Sequence, residues 1–198
     1  MLHCGCKYNN GIYYLCSRNN DVCIVLFVLV MRVNALSVAN YFVKLANDEH
    51  KDIHPLSLNK LVYIAHGFAL ALLDRSLLDD RFDRVEAWRY GPVIPSVYHS
   101  FKYKKRDVIT TEDYAVVENW KTHTFDPVML EDDDAKRVVR IVWNQYKEFT
   151  GEELVELLHQ KGTPWDLIYK EGKNCEIPDG YTKAYYTKLI ENILEQHG

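Results

Sequence analysis

The sequence predicts a mainly α fold, a single compact helical domain with a small β-strand or hairpin element. Three observations lead there. Apolar residues recur every three or four positions through most of the chain after residue 34. Helix-start residues stand directly in front of those runs. One proline-rich interruption, EAWRYGPVIPSVY (86–98), separates the amino-terminal helices from the rest. At 198 residues the chain is long enough to bury a core without disulfide or metal.

Taken in order, SVANYFVKLAND (37–48) spaces Val38, Tyr41, Phe42 and Leu45 as one helical face, with Ser37 placed to cap its start. HPLSLNKLVYIAHGFALALLDR (54–75) is the strongest helix, with Ser57 as the expected cap. Leu58, Leu61, Ile64, Ala65, Phe68 and Leu72 form its stripe. Because Val62, Ala69 and Ala71 make the opposite face apolar as well, this helix is expected at the centre, nearly surrounded. Phe82, Val85 and Ala87 alternate loosely, which suits a short extended segment or hairpin that Gly91-Pro92 ends. Pro95 then opens a helix carrying Val97, Tyr98 and Phe101. Residues 107–127 read as a looser connection with short strands.

The acidic run Glu131–Asp134 fits a helix first turn, where negative charge meets the positive end of the macrodipole. The helix behind it is expected to bury Val138, Ile141, Val142 and Tyr146. Thr150-Gly151-Glu152-Glu153 is a capping box, and Thr163-Pro164-Trp165-Asp166 repeats its logic with proline at the first helical position. An extended CEI piece (175–177) precedes a last helix with Ala184, Leu189, Ile190 and Ile193 inward. No repeat or long linker interrupts residues 34–196.

Residues 1–30 follow different rules and are read as a separate amino-terminal extension. They hold Cys4, Cys6, Cys16 and Cys23, four of the five cysteines. Their spacing fits no common zinc pattern. The apolar run Val22–Met31 has ten residues, and a bilayer span takes about 20. A start at Met31, directly before the first patterned helix, is the preferred reading; a secretory signal ending at Val33-Asn34-Ala35 is the alternative. A cytoplasmic protein follows from the first.

The net charge of −4 argues against a nucleic-acid binder, and the basic run KYKKR (102–106) reads as a solvated helix end. No nucleophile motif, phosphate loop, dinucleotide glycine pattern or zinc spacing is present. No enzyme, no cofactor and no metal are therefore expected. His66, His99 and His159 read as hydrogen-bonded structural histidines, and Asp79, Asp80 and Asp83 as a solvated turn. In the 86–98 stretch, Pro92 and Pro95 limit φ and Gly91 permits a turn, so the neighbouring rings are held in fixed directions. Such a platform suits either core packing or partner binding. Trp88, Gly91, Pro92, Pro95, Phe101, His159, Pro164 and Trp165 are assigned to structure. Tyr90, Val93 and Tyr98 are the candidates for partner contact.

LSLNKLVYIAHGFALA (56–71), VEAWRYGPVIPSVYHSF (85–101) and ELLHQKGTPW (156–165 with its preceding residues) together resemble the Panacea domain, the SocA-like antitoxin family also seen in phage-associated proteins. The resemblance spans about residues 36–195. It departs at Leu158, where the family pattern carries Thr, which puts a role for that hydroxyl in doubt. It implies an antitoxin that neutralises a cognate toxin by direct protein–protein contact, and an adaptor that hands the toxin to a protease. Two rival readings stand beside it: a phage-related or autoregulatory DNA-binding protein, and a hydrolase using His159 or His99. The specificity surface is expected on less patterned chain, in the 104–129 connection.

Overall fold

The computed structural model describes residues 33–119 and 122–197, so the readings of residues 1–30 and of a start at Met31 lie outside the described residues. Within them are seven α-helices and five short strands, the mainly α fold expected. Helix α1 (Ala35–Asp48) and helix α2 (Pro55–Leu72) form an antiparallel start to the bundle. Both begin one turn earlier than their serines suggest. Asn34 caps α1, its Oδ1 accepting from Ser37 N at 2.9 Å while Ser37 Oγ accepts from Asn34 N at 3.3 Å. Pro55 takes the first position of α2, and Ser57 Oγ accepts from the His54 N–H at 3.2 Å. Each serine thus closes a capping box from its third position instead of opening the helix.

Every residue of α2 from Ser57 to Leu70 is buried. The helix is encircled by α1, α3 (Pro95–Phe101), α4 (Asp133–Tyr146), α5 (Gly151–Leu158) and α7 (Asp179–His197), the central position that its apolarity on all sides predicts. Only Leu72 of the expected stripe emerges. The short helix α6 (Pro164–Ile168) follows α5 across a tight turn. Thr150 and Glu153 form the expected reciprocal cap at α5, with Thr150 N donating to Glu153 Oε2 at 2.7 Å and Glu153 N to Thr150 Oγ1 at 3.2 Å. At α6, Thr163 Oγ1 accepts from Asp166 N at 3.3 Å, while the Asp166 carboxylate turns back to Gly162 N at 2.9 Å.

Two helices bury the expected face only in part: Val138 and Val142 of α4 are buried and Leu189 and Ile190 of α7 pack against the core, whereas Ile193 is 44% exposed. Helix α4 sinks Ala135, Val138, Val139, Val142 and Trp143, leaving Ile141 49% exposed. In α7, Thr182 and Tyr186 are buried and Ala184 faces out. In both cases an aromatic ring sets the rotation: Trp143 packs on Phe42 of α1, and Tyr186 on Tyr63 and Phe68 of α2. A large ring buries more surface than an aliphatic side chain two positions away.

Strands β1 (Glu86–Trp88) and β2 (Gly91–Val93) form a hairpin, and β5 (Cys175–Glu176) joins the outer side of β1, giving the antiparallel order β2-β1-β5. Gly91-Pro92 is therefore the return strand and not the end of an extended piece; Pro92 sits on the sheet edge, where a missing N–H costs no ladder bond. Phe82, expected in the alternation, is 75% exposed. A second hairpin, β3 (Val116–Asn119) with β4 (Thr124–Pro127), stands out from the body. Its base is tied to α1 by the buried Asn40, whose side chain donates to Ala115 O at 2.8 Å and Val128 O at 3.0 Å and accepts from Ala115 N at 2.8 Å.

Candidate functional site

Three side chains from two helices hold the backbone of the β1–β2 hairpin and the residue that follows it. Two successive residues of α2 do most of this. Asn59 Nδ2 donates to Ile94 O at 3.1 Å and its Oδ1 accepts from Ile94 N at 3.2 Å. Lys60 Nζ donates to Pro92 O at 2.8 Å. From the other side, Trp165 Nε1 of α6 donates to Trp88 O at 2.8 Å. Gly91 has φ +94, a left-handed backbone that side chains rarely adopt. A Cβ there would lie 3.1 Å from Lys60 Nζ and 3.4 Å from His159 Nε2. The glycine thus lets the hairpin close directly over two buried nitrogens.

Those nitrogens are electrostatically unusual. Lys60 is 1% exposed, and burial pulls its ammonium down to about 7; the charged form is poorly solvated there. Burial and the Lys60 charge together lower His159 as well. Its ring stacks on Trp165 at 3.8 Å and 13°, and Trp165 stacks on Tyr169 at 4.6 Å and 19°. His159 Nε2 is buried without a hydrogen-bond partner. Leu158, at the position where the family resemblance departs, is itself buried, and its carbonyl accepts from the Thr163 hydroxyl at 2.9 Å.

The other sequence-marked residues divide into a buried and an exposed set. Phe101, Pro92 and Pro164 are buried. Pro95 occupies the first position of α3. Trp88 is half-buried: its ring meets Tyr98 edge-on at 5.0 Å, and its Nε1 donates to Glu86 Oε2 at 2.8 Å. Glu86 is buried too; burial raises its carboxyl, yet bonds from Arg84 and Trp88 outweigh that and hold it below the ordinary range. Tyr90 is 63% and Tyr98 41% exposed. Together with Trp88, Arg89, Val93 and Lys102 they border an open cleft of about 550 Å³ on the outer side of the hairpin, with Asn59 and Lys60 in its wall. Tyr90 and Tyr98 therefore share one concave surface, and Val93, only 7% exposed, lies beneath it rather than on it.

The remaining candidates lie apart from it. His66 is fully buried, its Nε2 3.0 Å from Asp179 Oδ1 and its Nδ1 3.4 Å from Ser76 Oγ, so it links α2 to the start of α7. His99 is exposed beside Tyr98. The Asp79–Asp83 turn is more than a solvated loop. Asp83 Oδ2 accepts from Ala35 N at 2.9 Å and Asp79 N at 3.1 Å, and its Oδ1 from Ser96 Oγ at 2.6 Å, joining the starts of α1 and α3. Among the described residues no group of three or more His, Cys, Asp or Glu is placed to hold a metal ion, and no helix is long and apolar enough to cross a membrane.

Sequence reasoning passed over Asn59 and Lys60. The available signal was two adjacent polar residues inside a helix apolar on every side, since buried polar groups must find partners.

The helical body thus clamps a stiff aromatic hairpin by a buried Asn-Lys pair. Residues 58–166 match the Panacea domain of SocA-like antitoxins. The matched region runs from the middle of the first turn of α2 through the hairpin to α6, so it encloses every element that builds the clamp. The chain belongs to this SocA-like, Panacea-domain family. It is similar to Antitoxin SocA of Caulobacter vibrioides (strain NA1000 / CB15N), with 30% identity over 136 residues, covering 69% of this chain and 70% of that protein. No solved structure matches the chain.

Proposed function

We infer that this protein is a cytoplasmic antitoxin that neutralises a cognate toxin by binding it directly, and that Tyr90 and Tyr98, with Val93 beneath them, form the surface that does so. One observation carries the reading. The region matched to the antitoxin family holds the exposed ring of Tyr90 at the tip of an anchored hairpin and the partly exposed ring of Tyr98 on α3 beside it. Rings held this way lose little conformational freedom on contact, and Tyr is among the residue types that dominate interface energies. Occlusion of the toxin's working surface needs no chemistry from the antitoxin. Delivery of the bound toxin to a protease would be a second step of the same association.

The test begins with the reading frame beside this gene. Its product should arrest growth when expressed alone and be silenced when the present chain is co-expressed. The two should co-purify. Tyr90→Ala with Tyr98→Ala should abolish rescue and co-purification while leaving the melting temperature within a few degrees of wild type. Rescue that survives when the two proteins no longer associate would refute sequestration. Toxin levels followed after translation is stopped separate the two outcomes of binding: accelerated toxin loss supports protease delivery, and unchanged loss supports sequestration alone.

A further inference from the structure

The cleft over the hairpin carries a charge asymmetry that its aromatic character does not require. Arg89, Lys102 and Lys105 border it, Lys60 stands in its wall, and none of its lining residues is Asp or Glu. This is unexpected in a chain of net charge −4. Many of the cations elsewhere are neutralised: Lys44, Lys51, Arg75, Arg81, Arg84, Lys104, Lys136, Arg137, Lys147 and Lys183 form ion pairs with carboxylates. The contrast is sharpest within KYKKR, where Lys104 pairs with Asp113 at 3.0 Å while Lys102 and Lys105 face the cleft. The cleft cations instead lie against rings, with Arg89 5.6 Å from the centre of Tyr90 and Lys102 6.0 Å from that of Tyr98. Such contacts leave the charge available to an anion.

The positive surface stops at the cleft. The groove next to it, which shares Leu56 and Lys105, interleaves Lys51, Arg106 and Lys147 with Asp52, Glu148 and Glu152. A nucleic-acid strand needs a continuous cationic track, because each neutralised phosphate adds to affinity. A pocket of three exposed cations and three rings, about 550 Å³ in size, fits a short segment of a folded partner instead. That volume lies within the roughly 300–1,000 Å³ of ordinary binding pockets.

We propose that the cleft seats an acidic segment of the toxin, with an aromatic or aliphatic side chain against Trp88, Tyr90 and Tyr98 and carboxylates at Arg89, Lys102 and Lys105. This rests on the antitoxin reading above and adds the chemistry of the partner to it. The rings supply burial, and the cations supply encounter rate and register. The toxin brings the carboxylates that the cleft lacks.

The experiment uses the full chain and the growth-arresting product of the adjoining reading frame. Lys102→Glu with Lys105→Glu is expected to weaken the complex at least 100-fold and to end rescue. Both side chains are exposed, so the melting temperature should stay within a few degrees of wild type. Lys188→Glu, on the exposed face of α7, should leave binding unchanged. Lys102→Gln with Lys105→Gln is the milder check: association should slow about ten-fold and lose most of its dependence on salt. Replacing acidic toxin residues by Lys should restore binding to the reversed variant. Wild-type association that the reversal leaves intact overturns this proposal while the antitoxin reading stands. A wild-type chain that does not bind the toxin overturns both. Tighter binding of a 20-nucleotide single-stranded DNA than of the toxin, lost in the reversed variant, overturns the protein partner in favour of nucleic acid.

Discussion

Gly67 offers the sharpest test of how this bundle is closed. It lies in the middle of α2, facing α7, and a Cβ built on it would fall 2.2 Å from both Cδ2 and Cε2 of Tyr186 and 2.8 Å from its Cγ. Tyr186 is buried between Tyr63 and Phe68, with ring centres 6.1 and 5.5 Å away. For Gly67→Ala, α7 or the ring must therefore retreat by about 1.5 Å to reach ordinary van der Waals contact. Overfilling a packed core costs about 1–3 kcal/mol. Disturbing the two ring contacts adds about 0.5–1.5 kcal/mol for each. Against these stands a gain of about 1 kcal/mol from replacing glycine inside a helix. The net expectation is a loss of about 3 kcal/mol, read as a fall in melting temperature of about 6–12 °C for a domain of this size. Urea melts of the full chain followed by far-ultraviolet circular dichroism would measure it. The decisive arm is the double variant. With Tyr186→Ala already in place the methyl enters a void, and adding Gly67→Ala should raise stability by about 1 kcal/mol. If Gly67→Ala were as stable as wild type, or equally harmful with and without the Tyr186 ring, the close approach would not be what demands glycine.

Other consequences can be checked alongside it. Lys60 holds fewer protons folded than unfolded between about pH 7 and its ordinary 10.5, so it makes stability rise with pH across that window and imposes its full penalty below it. Wild type should accordingly gain on Lys60→Met between pH 7 and 9, and parallel curves would count against a desolvated amine; pH 9 is the upper limit because burial raises the phenols of Tyr63 and Tyr186, which oppose folding once unfolded tyrosines ionise. Asp132 is pulled to about 2, first by the Arg75 bonds at 2.6 and 2.7 Å. Its contribution is present above the ordinary carboxyl range and is lost as pH falls through about 2, so Arg75→Met should flatten the acid limb of the stability profile. Thr150→Ala removes the cap of α5 and should cost about 1 kcal/mol in the same urea melts. Trp88→Ala should cost less than a fully buried tryptophan would, about 2 kcal/mol, because the ring is half-exposed and loses one edge contact and one bond to Glu86.

Much of this architecture could be read along the chain because local physics wrote it there. The caps at Thr150 and Thr163, the first-turn aspartates of α4 and the proline opening α3 all act over one helical turn, the range at which neighbouring residues are known in advance. The Ser37 and Ser57 boxes show the limit of that range. A serine can cap from the first or the third position, and what settles it is the preceding residue: Asn34 with its own acceptor, and Pro55 with its preset φ. Helix faces were legible where apolar residues form one stripe, as in α2. They were misread where an aromatic residue two positions away competed, as with Trp143 against Ile141 and Tyr186 against Ala184.

The site was legible in composition and not in assembly. The hairpin motif announces stiffness and rings, yet its anchors lie 32 to 77 residues away in the chain, in Asn59, Lys60 and Trp165. In sequence Asp83 reads as a solvated loop residue; in the fold Ala35 and Ser96 arrive at its two oxygens. Nothing in spacing places Lys102 and Lys105 around the same cleft as Arg89 while sending Lys104 to Asp113.

By itself, then, the sequence determined the helical class, the central place of α2, most helix starts and the family, since propensity, capping and apolar periodicity are properties of short stretches. Tertiary structure alone decided the rotation of α4 and α7, the clamp under the hairpin and the gathering of unpaired cations above it. Those depend on which surfaces meet, and a meeting between distant residues is a property of the folded whole that no short stretch contains.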